Sequence, residues 1–150
     1  MAMQMEGEER IAASVETVWA ALNNPEILKA CIPGCEALDK TSDTQMTATV
    51  ALKLGPVKAR FNGAVQLKNL KPPHSYTIQG EGKGGIAGFA KGGADVTLTT
   101  DGAETILAYR VTAEVGGKIA QLGARLIDST AKKLAGQFFT SLGEKVSSGR

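Results

Sequence analysis

Histidine is almost absent: His74 is the only one in 150 residues. It stands beside Pro72-Pro73 in an expected turn, so no imidazole is placed to activate a serine or cysteine nucleophile, and triad hydrolases are excluded. Cysteine is nearly as scarce. Cys31 and Cys35 are split by Pro33-Gly34, too few for a disulfide framework and without the second pair a structural zinc site needs. They read as small apolar residues at a helix end, or as a redox pair or a cavity-mouth lining. No apolar run is long enough to span a bilayer. The start, Met1-Ala2-Met3-Gln4-Met5-Glu6, has no basic segment followed by an apolar one, so a cytoplasmic location is expected. An excess of one charge is also missing: 17 Lys+Arg against 15 Asp+Glu leave +2, which gives no footprint for nucleic acid. Nothing divides the chain compositionally, and 1–150 reads as a single domain.

Glycine, by contrast, is plentiful, and half the residues from Gly80 to Gly93 are glycine. Gly80-Glu81-Gly82-Lys83-Gly84-Gly85 satisfies the G-x-G-x-x-G pattern, but that fingerprint holds a pyrophosphate only where a strand turns into a helix. The residues that follow, Ala94-Asp95-Val96-Thr97-Leu98-Thr99, alternate like a strand and end at the turn pair Asp101-Gly102. A nucleotide loop is therefore not expected.

The remaining periodicities give an element order. Met3, Met5 and Ile11 share one face of a first strand. Ser14 caps a helix carrying Val15, Val18, Trp19 and Leu22 inward; Asn24 with Pro25 starts a second short helix carrying Ile27, Leu28 and Cys31 inward. From Cys35 to Glu114 the period is two. Met46 to Leu54, Val57 to Leu67, Tyr76 and Ile78, and Leu107 to Ala113 alternate with polar residues, as in an antiparallel sheet with one wet face. After Gly116-Gly117 the period becomes 3.6, with Ile119, Leu126, Ile127, Leu134, Phe138 and Leu142 on one stripe. A single helix to about Ser147 would be about 45 Å long. The fold class is α+β.

Continuing the alternation from Tyr76 places Gly80, Gly82 and Gly84 on the inward face, with Gly92 and Ala90 inward on the following strand. A sheet stripped of side chains there either admits a close-packed helix or leaves room for a ligand. Inward Phe61, Tyr76 and Tyr109, with Trp19, Leu28, Leu122 and Leu126 on helices, would enclose an apolar molecule, the phenols orienting a carbonyl; an ordinary core needs the same residues. Lys83, Phe89 and Lys91 read as a hairpin tip that contacts a partner or anionic headgroups, or as a plain polar loop. Phe139 adjoins Phe138 and is expected towards the polar side, as a contact residue. Glu81, Asp95 and Glu114 take the solvent phase. Glu9 alone takes the inward one, so no catalytic residue is assigned.

The chain resembles the CoxG-like proteins associated with carbon-monoxide dehydrogenase, within the START-like, Bet v 1-like (SRPBCC) helix-grip superfamily. The resemblance rests on Val18-Trp19-Ala20-Ala21-Leu22-Asn23, Cys31-Ile32-Pro33-Gly34-Cys35, the glycine segment with Gly88-Phe89-Ala90-Lys91-Gly92-Gly93-Ala94, and Gly116-Gly117-Lys118-Ile119-Ala120-Gln121-Leu122-Gly123. It implies a curved seven-stranded antiparallel sheet gripping a long C-terminal helix over a cavity. It also implies an accessory protein rather than an enzyme, with no cofactor of its own. The implied ligand is lipid- or quinone-like, and the implied partner is a molybdenum-containing CO dehydrogenase-type hydroxylase recruited to the inner face of the cytoplasmic membrane. Members that attach to membranes carry an additional apolar C-terminal segment, where this chain reads Ser147-Ser148-Gly149-Arg150.

Overall fold

The computed structural model describes residues 1–148. Strand β1 (Ala2–Ile11) leads into two short helices, α1 (Val15–Leu22) and α2 (Pro25–Cys31). Six strands follow: β2 (Cys35–Ser42), β3 (Gln45–Leu54), β4 (Val57–Lys71), β5 (Ser75–Lys83), β6 (Phe89–Asp101) and β7 (Glu104–Gly116). The last described element is helix α3 (Ala124–Ser148). The sheet runs β1-β7-β6-β5-β4-β3-β2, antiparallel at every pair, so the first strand returns to lie beside the last. This is the α+β helix-grip arrangement.

Local chemistry explains the short helices. The Ser14 side chain accepts the Thr17 N–H at 3.2 Å, and Asn24 Oδ1 accepts that of Glu26 at 2.9 Å, with Pro25 at the first helical position. Both helices then turn Val18, Leu22, Leu28 and Cys31 into the main core with Ile11, Leu107, Leu142 and Val146.

Thr105 pins this end of the sheet. It is fully buried, and its hydroxyl donates to the Ala13 carbonyl at 2.8 Å, tying β7 to the connection between β1 and α1. Thr105→Val keeps the shape, removes the donor and leaves a buried carbonyl short of a partner. The expected loss is about 1–3 kcal/mol, read from urea unfolding midpoints.

The C-terminal helix differs from the sequence expectation in two ways. It does not begin after Gly117: Lys118–Leu122 wind as a 3-10 turn, and Gly123, at φ +92°, breaks the path before α3 starts. A residue in that region cannot continue a right-handed helix, so α3 spans 25 residues, about 37 Å. The apolar stripe nevertheless stays in phase, since Ile119 and Ile127 join one cluster. Phe139 is likewise not turned to the polar side. Its ring stacks on Tyr109 at 5.1 Å between centroids and meets Phe138 edge-on. A curved sheet surrounds more than one stripe of the helix it holds, so neighbouring residues about 100° apart both find walls.

Candidate functional site

The apolar interior is not one continuous core. One cluster, around Val18, Leu107 and Leu142, lies under α1, α2 and the C-terminal half of α3. The other, Leu54, Phe61, Ala87, Val115, Ile119 and Ile127, lies at the opposite end of the sheet. Met5, Val50, Val111 and Leu134 face inward between them, half-buried and packed in neither cluster.

Strand register explains the gap. Two adjacent rows cross the concave face there: Val65, Gly80, Gly92 and Ala113 in one, Ala48, Gly63, Gly82 and Ala90 in the next. Both rows are nearly bare of side chains. The backbone of α3 comes nearest the sheet at β1 and β3.

The glycines divide by what a side chain would meet. At Gly84 a Cβ would stand 2.6 Å from the Phe61 ring, at Gly7 2.6 Å from the Tyr109 hydroxyl, and at Gly116 it would overlap the Phe89 ring. Aromatic rings from neighbouring strands thus occupy part of the space the glycines clear. At Gly92 a Cβ would overlap the Thr112 carbonyl, a clash with backbone that cannot yield. Gly82 is different: its nearest neighbour would be Phe61 Cβ at 3.9 Å, an ordinary contact. Nothing in the packing requires glycine at this position, and a strand glycine costs about 0.5–1 kcal/mol relative to alanine.

The expected lining residues fall on both sides of the gap. Tyr76 is buried in the main cluster with Trp19 edge-on against it at 5.3 Å; Tyr109 and Leu28 belong to the same end. Leu28 is buried core. Phe61 and Leu122 belong to the second cluster. Leu126 sits over Gly55 and, with Leu52, Leu134 and Pro33, borders a groove of about 520 Å³ along the seam between α3 and β3. Lys83, Phe89 and Lys91 lie on the convex side at the β5–β6 tip, with Lys91 Nζ 5.9 Å from the Phe89 ring centre. The sequence alternation could not reveal the split core, because that depends on where α3 crosses.

The polar groups facing inward are few. Burial pushes the Tyr76 phenol far above its ordinary value; burial, and then the Glu9 carboxylate, raise that of Tyr109. Among the described residues neither hydroxyl has a hydrogen-bond partner, and no sealed side-chain polar atom lacks one. The two phenols are protonated donors, Tyr76 in the buried cluster and Tyr109 half-buried beside it. An unfolded tyrosine ionises near about 10, while the folded form holds its proton longer, so these groups make stability fall as pH rises through and above that value. Ultraviolet titration is expected to show both phenols ionising late, with unfolding as they do.

Cys31 is sealed in the main cluster, and burial raises its thiol; Cys35, also raised by burial, donates to the Ala37 carbonyl at 3.4 Å. Neither is an activated nucleophile. Among the described residues no three acidic, histidine or cysteine side chains gather as a metal site. No described helix is long and apolar enough to cross a membrane. The convex face carries a wide trough of about 1080 Å³, bordered by Gln45, Gln66, Gln79 and Thr112, too polar and open to hold an apolar molecule.

No curated protein matches the sequence. Among solved structures, a conserved protein from Geobacillus kaustophilus is 31% identical, with 97% of this chain and 96% of that one covered and a TM-score of 0.92. A START superfamily protein from Mycobacterium smegmatis (14% identity, 98% and 99% covered, TM-score 0.75) shares the fold. So does the Zhui aromatase/cyclase from Streptomyces sp. R1128 (10% identity, 98% and 95% covered, TM-score 0.70). The carbon monoxide dehydrogenase CoxG family matches residues 7–147. That match takes in the glycine rows, both short helices and nearly all of α3, and the chain belongs to the CoxG family.

Proposed function

We propose that this protein is a non-catalytic accessory factor that holds a lipid- or quinone-like molecule between α3 and the bare rows of the sheet. In this reading it serves a molybdenum-containing hydroxylase of the CO dehydrogenase type at the inner face of the cytoplasmic membrane. The observation that carries the reading is the divided core, with Gly82 kept bare where packing allows a side chain. A stretch of sheet nearly bare of side chains beneath α3 suits a planar ring, and the Tyr76 and Tyr109 phenols supply donors for a carbonyl at one end. The family's name supports the dehydrogenase as partner. Among the described residues no activated nucleophile and no pair of inward carboxylates is found, which supports a carrier over an enzyme, although an aromatase/cyclase shares the fold.

Trp19, the single tryptophan, reports on the site from beside Tyr76. Titration with ubiquinone-1, a short-chain quinone, is expected to quench its fluorescence saturably. Absence of saturable quenching, with association to the dehydrogenase retained, would overturn the carrier reading and leave an adaptor with a closed interior.

A further inference from the structure

Ile86 is 92% exposed, at the apex of the 3-10 turn Gly85–Ala87 between β5 and β6. Lys83, ion-paired with Glu81 at 3.6 Å, and Lys91 flank it, with the Phe89 ring beside them over Gly116. The β3–β4 turn and the turn before α3 meet at the same end, joined through Leu54, Ala87 and Ile119. They bring further cations, Lys53 and Lys58 on one and Lys118 and Arg125 on the other.

Two of these placements are locally unfavourable. Lys53 and Lys58 are direct cross-strand partners, and like charges opposite one another weaken a hairpin. Arg125 stands in the first turn of α3, where the helix dipole disfavours a cation. Among the described residues none of the three has an ion-pair partner. Choices that break local rules without a gain in stability belong to function.

We propose that this end of the molecule docks on an anionic lipid bilayer, Ile86 entering the boundary between headgroups and acyl chains while the surrounding lysines meet the headgroups. Anionic leaflets attract clustered lysines, and an apolar apex among them adds insertion. A protein partner fits less well. Protein interfaces are depleted in lysine and centre on buried aromatic or arginine anchors, whereas here one aliphatic apex stands among flexible ammonium groups. The inference rests on the carrier reading in one respect: the bare row through Gly82 and Ala90 lies one residue inward of Lys83 and Phe89, so a molecule leaving the gap at this end meets the bilayer.

Co-sedimentation with vesicles of phosphatidylcholine alone, and of phosphatidylcholine with phosphatidylglycerol in equal parts, tests the proposal. The protein is expected to bind the anionic vesicles only, and less as salt shortens the screening length. Ile86→Glu is expected to weaken binding about tenfold or more. The double variant Lys53→Glu/Lys58→Glu is expected to do at least as much, at about fivefold per lysine. Ile86→Trp is expected to hold or tighten binding, since tryptophan favours the bilayer interface. All these side chains are exposed, so unfolding midpoints should stay within about 1 kcal/mol of the parent. Failure of the parent to bind, equal binding to neutral vesicles, or unchanged binding in the variants would overturn the proposal. So would loss of dehydrogenase association in Ile86→Glu with vesicle binding intact, which would make this a protein-docking face. Ubiquinone-1 quenching of Trp19 in solution should be unchanged in Ile86→Glu and in Lys53→Glu/Lys58→Glu, which keep Trp19 as the single tryptophan, so failure of docking and failure of the ligand site are read separately.

Discussion

Gly82→Leu is expected to lose ligand uptake while the protein stays folded, and Gly92→Ala is expected to do the reverse damage. Both glycines face the same concave surface, one row apart. At Gly82 a new side chain has space, with only Phe61 Cβ at 3.9 Å, so its bulk projects into the gap. Quenching of Trp19 by ubiquinone-1 should weaken about tenfold or more, equivalent to about 1.4 kcal/mol. Gly82→Ala should raise stability by about 0.4–1 kcal/mol, because the unfolded chain loses freedom and the folded chain loses nothing. At Gly92 even one methyl overlaps the Thr112 carbonyl, and two paired strands must part to admit it. The expected loss is about 3 kcal/mol or more, a large share of a small domain's total of about 5–15 kcal/mol. Denaturant midpoints measured beside quinone titrations separate the two effects. Equal stability losses in Gly82→Ala and Gly92→Ala would show that Gly82 is kept for packing.

The second large effect lies at the far end of the helix. Leu142 is fully buried and, with Val146, anchors α3 against Ile11 and Val18. Leu142→Ala removes three carbons from a sealed site and leaves a cavity, with an expected loss of about 2–5 kcal/mol. Leu142 and Val146 join the C-terminal half of α3 to the main cluster, so the position of that half depends on their packing. Hydrogen exchange should accordingly show faster opening along the C-terminal half of α3 in this variant, and in Leu142→Met much less of either effect. A change confined to global stability, with α3 protected as before, would mean that the N-terminal half holds the helix unaided.

Much of this was legible in the sequence because strand alternation is a local property. The inward phase of Tyr76, Ile78, Gly80 and Gly82 follows from counting by twos, and the register Gly80 to Gly92 and Gly82 to Ala90 places the bare residues side by side. Capping at Ser14 and Asn24 was equally local. Three features were not local. The break at Gly123 left the apolar stripe in phase, so periodicity alone ran the helix through it. Phe139 stacks on Tyr109 because the sheet curves around α3, which no helical wheel contains. The division of the core depends on the helix crossing at β1 and β3, and its signal in the sequence was indirect: a glycine at position 82 that packing does not explain.

The central claim is that the space over the bare rows holds an apolar molecule. Organic extraction followed by mass spectrometry, applied to the protein purified from its own cells, tests it most directly. One apolar, carbonyl-bearing species is expected in near-equal molar amount to the parent protein, and its loss is expected from Gly82→Leu purified in the same way. A parent protein that yields no such species and takes up no added quinone, or a Gly82→Leu variant that carries as much as the parent, would contradict it.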